Sequence, residues 1–357
     1  MKYILLIFTI GAISGCTPED HHIYRVTEAD IRSLESGKVI IPHTYIDWWE
    51  QTAPRCSQGL FPSKTHDDGR CDDGDATLFN GLLCFSGYEK SCQTVANAQD
   101  INGRWWRSPR KEDLNRERNS FSRDQTVGVL LYLTKTKNTV AAKRWMAWME
   151  ENRKCFLSLP FGGGCAIKAT VTCHDSDDGT CVLSPNLWSL LHKVWNHMDL
   201  EPSFRMERPY SELGDLSRII KPIKQEASLD KEDLALMEAE MVKVGYRLHL
   251  KGVQLLLKDA LGPRTPKAQM LANLLYHKQP NNLFFQYLAE GPSQNLANLL
   301  MEQCPMPGHL PAVQNQWAWE RADNDRAWER SIGWDCFFLG RLLVMEGSEL
   351  FADAKAH

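Results

Sequence analysis

Three aspartates each stand at or near the opening of an apolar segment in this 357-residue chain: Asp75 before Ala-Thr-Leu-Phe, Asp124 before Gln-Thr-Val-Gly, and Asp335 before Cys-Phe-Phe. Two carboxylates flanking a glycosidic bond suffice to hydrolyse it. One protonates the leaving oxygen, and the other activates water or attacks directly. Asp75 and Asp124 form the preferred pair, because small residues beside each would let a ligand approach; Asp335 is the reserve. The competing reading is structural, since an aspartate at a helix start caps it and meets the dipole, each effect worth about 1 kcal/mol. Taken singly, each aspartate reads as a cap. Taken together, with aromatic residues close by in sequence, they read as a site.

Those aromatics are Trp105 and Trp106 in the connection Gly-Arg-Trp-Trp-Arg-Ser-Pro, Trp317 and Trp319 ahead of the last apolar segment, and Trp334. A tryptophan face stacks on the apolar face of a sugar ring, and an indole in a loop needs a ligand or a packing role. Trp145, Trp148, Trp188 and Trp195 recur at helical spacing and belong to a core. Between Trp106 and Asp124 the chain carries Arg107, Arg110, Lys111, Arg116, Arg118 and Arg123. Guanidinium forks bind carboxylates and sulfates, so this cluster points to an acidic sugar, unless it is a solvated loop balanced by Glu112, Asp113 and Glu117. An acidic substrate would also admit a lyase, in which His174, His192 or Tyr132 removes the proton beside a neutralised carboxylate.

The acidic turns Asp67-Asp68-Gly69…Asp72-Asp73-Gly74-Asp75 and Asp175-Ser-Asp177-Asp178-Gly179 offer oxygen ligands suited to calcium, although neither has the glutamate that closes an EF-hand. No metal site is assigned, and calcium is the one cofactor these turns allow. The nucleophile-elbow, phosphate-loop, dinucleotide and zinc-protease patterns are all missing. Gly162-Gly163-Gly164 reads as a turn between cysteines.

Helical periodicity dominates the elements that would hold these residues. Apolar stripes mark Thr77–Ser86, Thr126–Leu133, Val140–Asn152, Asn186–Met198, Thr265–Tyr276, Asn281–Ala289, Gln294–Glu302 and Ala327–Glu346. Leu229–Leu261 is either one bent helix or two. Strand signals are confined to Lys38–Ile41 and Ala166–Thr172. Acidic turns that repeatedly open apolar helices suggest helical hairpins set around a central cleft, an all-α, α/α toroid-like domain.

At this point the residues carry a resemblance. The stretches Asp73-Gly-Asp-Ala-Thr-Leu-Phe-Asn-Gly81, Asn119-Ser-Phe-Ser-Arg-Asp124-Gln-Thr-Val-Gly128 and Trp328-Glu-Arg-Ser-Ile-Gly-Trp-Asp335 resemble the inner-helix openings of six-hairpin glycosidases and α/α-toroid polysaccharide lyases. The likeness covers about half of the chain in scattered pieces. It implies a carbohydrate partner, with Asp75, Asp124 and Asp335 as catalytic candidates and Trp105, Trp106, Arg107, Arg123, Trp319 and Trp334 as substrate contacts. The bland alternative on the same scaffold is a glycan-binding or envelope-interaction protein without catalysis.

The N-terminus predicts where this domain works. One lysine precedes an apolar run from Ile4 to Ile13, too short to span a bilayer but of signal-peptide length. Ile13-Ser14-Gly15-Cys16 resembles a bacterial lipobox, which implies cleavage before Cys16 and lipid attachment to it. The expected organisation is therefore a signal peptide over 1–15, a lipidated tether over 16–30 and the domain over 31–350. Thr17 after the cysteine resembles the outer-membrane sorting rule, and the expected location is the cell envelope, facing periplasm or cell surface. A net charge of −4 gives no electrostatic reason to bind nucleic acid.

The cysteines agree with export. Of 11, setting aside Cys16 leaves an even number, as a disulfide framework in an oxidising compartment requires. Pairing of neighbours predicts Cys56–Cys71, Cys84–Cys92, Cys155–Cys165, Cys173–Cys181 and Cys304–Cys336. No Cys-x-x-Cys knuckle favours zinc instead.

Overall fold

In the computed structural model, apolar stripes closed off by Ser, Thr, Asn and Pro do form helices. The structure describes residues 39–56, 60–65, 70–110, 120–158, 165–175, 181–201, 231–308 and 332–353. Cys16 and its tether, Lys111, Arg116, Arg118, Trp317, Trp319, Gly162–Gly164 and the carboxylates at 67, 68, 177 and 178 lie outside them.

Twelve helices run through the described residues: α1 His43–Thr52, α2 Ala76–Phe85, α3 Glu89–Asn97, α4 Arg123–Thr136, α5 Thr139–Glu151, α6 Pro185–His197, α7 Lys231–Met241, α8 Tyr246–Ala260, α9 Pro266–Lys278, α10 Leu283–Glu290, α11 Gln294–Gln303 and α12 Trp334–Asp353. Strand is scarce. One antiparallel pair joins β1 Lys64–Thr65 to β2 Cys71–Asp72, and another joins β3 Lys154–Ser158 to β4 Cys165–Ala169. The expected strand at Lys38–Ile41 does not form among the described residues. The Gln294 amide replaces a partner strand there, accepting from the Ile40 N–H at 2.8 Å and donating to its carbonyl at 3.0 Å.

The capping chemistry sets the helix starts. Ser184, Thr265 and Ser293 each accept the N–H three residues on, and Pro185 and Pro266 occupy first helical positions whose N–H would be unpaired anyway. The long 229–261 pattern resolves into α7 and α8. They part at Gly245, whose φ of 121° an L side chain rarely adopts.

Every residue of α2 is buried, as is nearly all of α4 from Gln125 to Thr134. These two helices form the centre of the core and touch backbone to backbone. A Cβ on Gly81 would lie 2.2 Å from the Gly128 carbonyl oxygen. Around them pack α3, α6, α8 and α12, and α12 also rests on α1.

The cysteines pair as neighbour pairing predicts, with Cα separations of 5.0 Å for Cys56–Cys71, 4.6 Å for Cys84–Cys92, 5.7 Å for Cys155–Cys165, 4.9 Å for Cys173–Cys181 and 6.1 Å for Cys304–Cys336. They staple α2 to α3, β3 to β4, and the end of α11 to the start of α12. The protein is thus mostly helical and braced by disulfides, each suited to stabilising the fold by shrinking the unfolded ensemble.

Candidate functional site

The loop that enters α4 carries three arginines three residues apart, and the acidic turns supply their partners. Arg104 meets Asp175 at 3.6 Å, Arg107 meets Asp75 at 3.5 Å, and Arg110 meets Asp73 at 2.8 Å. The basic and acidic stretches, which read in sequence as two separate binding features, therefore neutralise each other along one seam. Asp175 also accepts from the Ser120 N–H at 2.7 Å, and Asp73 from the Ser108 hydroxyl at 2.5 Å. Burial works against ionisation of Asp73, but the hydrogen bonds of Arg110 and Ser108 outweigh it and hold its carboxyl below the usual range. Asp175 lies within ligand distance of the Cys173 and Cys181 sulfurs, yet those two sulfurs form a disulfide and present no thiolate to a metal.

Asp75 precedes α2 without capping it through its side chain. Its carboxylate turns instead to Lys64 Nζ at 2.9 Å and Gln125 Nε2 at 3.2 Å, besides Arg107, which also donates to the Gly74 carbonyl. The Lys64 side chain is 4% exposed, so this is a largely desolvated ion pair whose members answer one another. Behind it lies His249 on α8, 1% exposed. Burial, reinforced by the charge of Lys64, holds this imidazole well below its ordinary pKa, and it is neutral at pH 7.

Gln125 bridges the two central helices, its side-chain oxygen accepting from the Leu78 N–H at 3.0 Å. Its neighbour Asp124 faces a different environment. The hydroxyl of Tyr246, the first residue of α8, donates to Asp124, and both line an open cleft of 1010 Å³. The cleft lies between α4, α6, α7 and α8. Glu238 is its second carboxylate and is paired with Lys251. Arg123, Lys243 and Arg247 also line it, and none has an acidic partner among the described residues. Among the described lining residues, the cations Arg123, Lys243, Arg247 and Lys251 outnumber the carboxylates of Asp124 and Glu238.

Asp75 and Asp335 are not among the residues that line this cleft. Asp335 is 0% exposed, in the first turn of α12, and accepts from the Cys336 N–H. Two tryptophans expected at a ligand are core side chains in the structure. Trp105 is 0% exposed and stands edge-on to Tyr132 and Trp145 at 5.8 and 6.4 Å. Trp334, also 0% exposed, donates to the Pro54 carbonyl at 2.6 Å and packs beside Tyr88 and Phe337. The physical reason is common to both: a loop indole saves more free energy by filling the core than by waiting on the surface. Trp106 is half-buried, covered by the Arg104 guanidinium at 4.0 Å, with its ring N–H on Asp100 at 3.0 Å. Among the described residues, Arg123 alone of the expected substrate contacts lines the cleft; Trp319 lies outside them.

The lyase candidates are likewise dispersed. Tyr132 is buried and bonded to Asn138, His174 sits on Asn152 and Trp148, and His192 sits among Trp188 and Trp195. Sequence reading missed Tyr246, Arg247, Lys243, Glu238 and Lys251. The one signal pointing to them was Gly245, a glycine inside a helical pattern whose neighbours are Tyr and Arg. Compared with known protein families, with curated proteins and with solved structures, the chain matches none.

Proposed function

We propose that this chain is a cell-envelope lipoprotein, anchored through Cys16, whose domain is a toroid-like arrangement of helical hairpins that takes an acidic carbohydrate into the Asp124–Tyr246 cleft and hydrolyses it. The observation that carries the reading is the cleft wall itself: Arg123, Lys243 and Arg247 without acidic partners among the described residues, beside a carboxylate and a phenol. Cations of this kind match uronate or sulfate groups, and a 1010 Å³ space is ample for sugar units.

In the hydrolytic step Asp124, held in place by the Tyr246 hydroxyl, takes a proton from water as that water attacks the anomeric carbon. The glycosidic oxygen leaves with a proton returned by the opposite acid. Glu238 is the carboxyl available in the cleft for that role. Lys251 now pairs with it, and an acidic sugar that drew Lys251 away would free that carboxyl to face the glycosidic oxygen. Asp75, enclosed by Lys64, Arg107 and Gln125, acts as a positioning residue that fixes Gln125 and hence the first turn of α4.

A second reading is binding without cleavage, favoured by the cationic or hydroxyl partner that each cleft carboxylate already has. One experiment separates the two. Wild type and Asp124→Asn are incubated with neutral and acidic polysaccharides, and reducing ends and ultraviolet-absorbing unsaturated ends are measured. Reducing ends released by wild type alone support hydrolysis. Equal release by both removes Asp124 from the mechanism, unsaturated ends identify a lyase, and saturable binding with no product leaves the binding reading.

A further inference from the structure

A second cavity, of 410 Å³, adjoins the Asp124 cleft and shares Asn186, Lys251 and Gln254 with it. Among the described residues its wall carries four lysines, Lys193 from α6, Lys251 and Lys258 from α8 and Lys267 from α9, of which Lys251 pairs with Glu238 and Lys258 with Glu232. On α8, Arg247, Lys251, Gln254 and Lys258 are spaced four, three and four residues apart and so lie along one helix face. At the rise of an α-helix, that stripe is about 16 Å long. It runs from the larger cavity into the smaller one.

The stripe already holds carboxylates, and they come from α7. Glu238 sits on Lys251, while Glu232 sits on Lys258 and accepts the Thr265 hydroxyl at 3.0 Å on each of its oxygens. Thr265 is the cap of α9, so the Glu232 carboxylate occupies a seat built from an ammonium, a hydroxyl and a helix N-terminus. Two carboxylates six residues apart on α7 thus occupy two anion seats along the groove. Lys193 adds a further cation with no acidic partner among the described residues.

We infer that the smaller cavity is a second anion subsite of the same groove, and that the ligand is a linear acidic glycan lying along α8 with a charged sugar in each cavity. This rests on the reading of the larger cleft as an acidic-carbohydrate site. In that arrangement the glycan's anionic groups take the places now held by Glu238 and Glu232. Length is then the specificity determinant: a short oligomer fills only the larger cleft, and a longer one reaches Lys193, Lys258 and Lys267.

The test uses fluorescently labelled oligogalacturonates of increasing length, read by anisotropy at low and high salt, on the full chain and on Lys193→Ala/Lys267→Ala. Wild type is expected to bind the long members about tenfold more tightly than the shortest, a difference near 1.4 kcal/mol. The double variant should lose that gain while binding the shortest member unchanged, and Lys193→Arg/Lys267→Arg should restore it. Length-independent binding by wild type, or a double variant with the full length gain, overturns the second subsite while leaving the larger cleft intact. No binding of any member overturns the reading of the cleft itself. An oligothymidylate of equal charge bound as tightly as the long glycan overturns the assignment to sugar.

Discussion

The hydroxyl of Tyr246 donates to the carboxylate of Asp124 across 122 residues of sequence, joining the first turn of α8 to the first turn of α4. The bond fixes one wall of the cleft and holds the Asp124 side chain in it. Tyr246→Phe removes the donor without opening a cavity, so the fold should lose about 1 kcal/mol. Turnover of, or affinity for, an acidic glycan should fall far more than that small loss explains. Thermal unfolding beside ligand assays decides it; a variant with unchanged ligand behaviour would place the pair outside the site.

Gly81 and Gly128 let α2 and α4 meet without side chains. A Cβ on Gly81 would stand 2.2 Å from the Gly128 carbonyl oxygen, and one on Gly128 would stand 2.3 Å from that of Thr77. Both clashes are with backbone in the most buried part of the core, which cannot move aside cheaply. Gly81→Ala or Gly128→Ala is expected to cost about 3 kcal/mol or more. Denaturant unfolding under non-reducing conditions measures the loss.

His249 makes stability depend on pH in a stated direction. Buried and facing the charge of Lys64, it is held neutral in the fold with its pKa well below the ordinary value. The unfolded chain therefore binds a proton that the folded chain refuses. The stabilisation is complete above about pH 6.5 and declines as pH falls below it, by up to about 1.4 kcal/mol per pH unit, until the depressed folded pKa is reached. Midpoints of unfolding between pH 7 and pH 5 should fall accordingly, and His249→Gln should flatten that slope.

The disulfides should not contribute equally. Cys304–Cys336 closes a loop with a sequence separation of 32, whereas Cys84–Cys92 spans 8. By loop-closure entropy the longer loop stabilises by about 1 kcal/mol more. Paired Cys→Ser variants compared by thermal unfolding give the difference. Equal losses would show that native-state packing around each bridge, and not unfolded-state entropy, sets its value.

Anchoring through Cys16 predicts a change of compartment with no change of fold. Cys16→Ser should move the protein from the detergent phase to the aqueous phase in phase separation, because the acyl chains supply about 0.8 kcal/mol per buried CH₂. Far-ultraviolet circular dichroism and the five disulfides should be retained. Unchanged partitioning would remove the lipid anchor from the proposal.

Most of the helices and all five cysteine pairs were legible in the sequence. Helices declare themselves through apolar spacing and through caps such as Ser184-Pro185 and Thr265-Pro266, all of which are local. The disulfides were legible because each partner lies close by in the chain. Two helices were not. In α3 the buried residues include Ser91 and Thr94, so no apolar stripe marks it. Only Trp49 of α1 is fully buried, which leaves its pattern equally faint.

The sequence by itself determined the helical class, the helix starts and the covalent staples, because capping, periodicity and short-range closure act over a few residues. Only the tertiary structure decided which charges face each other. Arg104, Arg107 and Arg110 answer Asp175, Asp75 and Asp73, while Arg123 and Arg247 are left for the cleft. A charged side chain has the same identity in the sequence whether it faces solvent, a ligand or a distant carboxylate. Its partner is chosen when α4, α6, α7 and α8 pack together, and that choice separates Asp75 from Asp124.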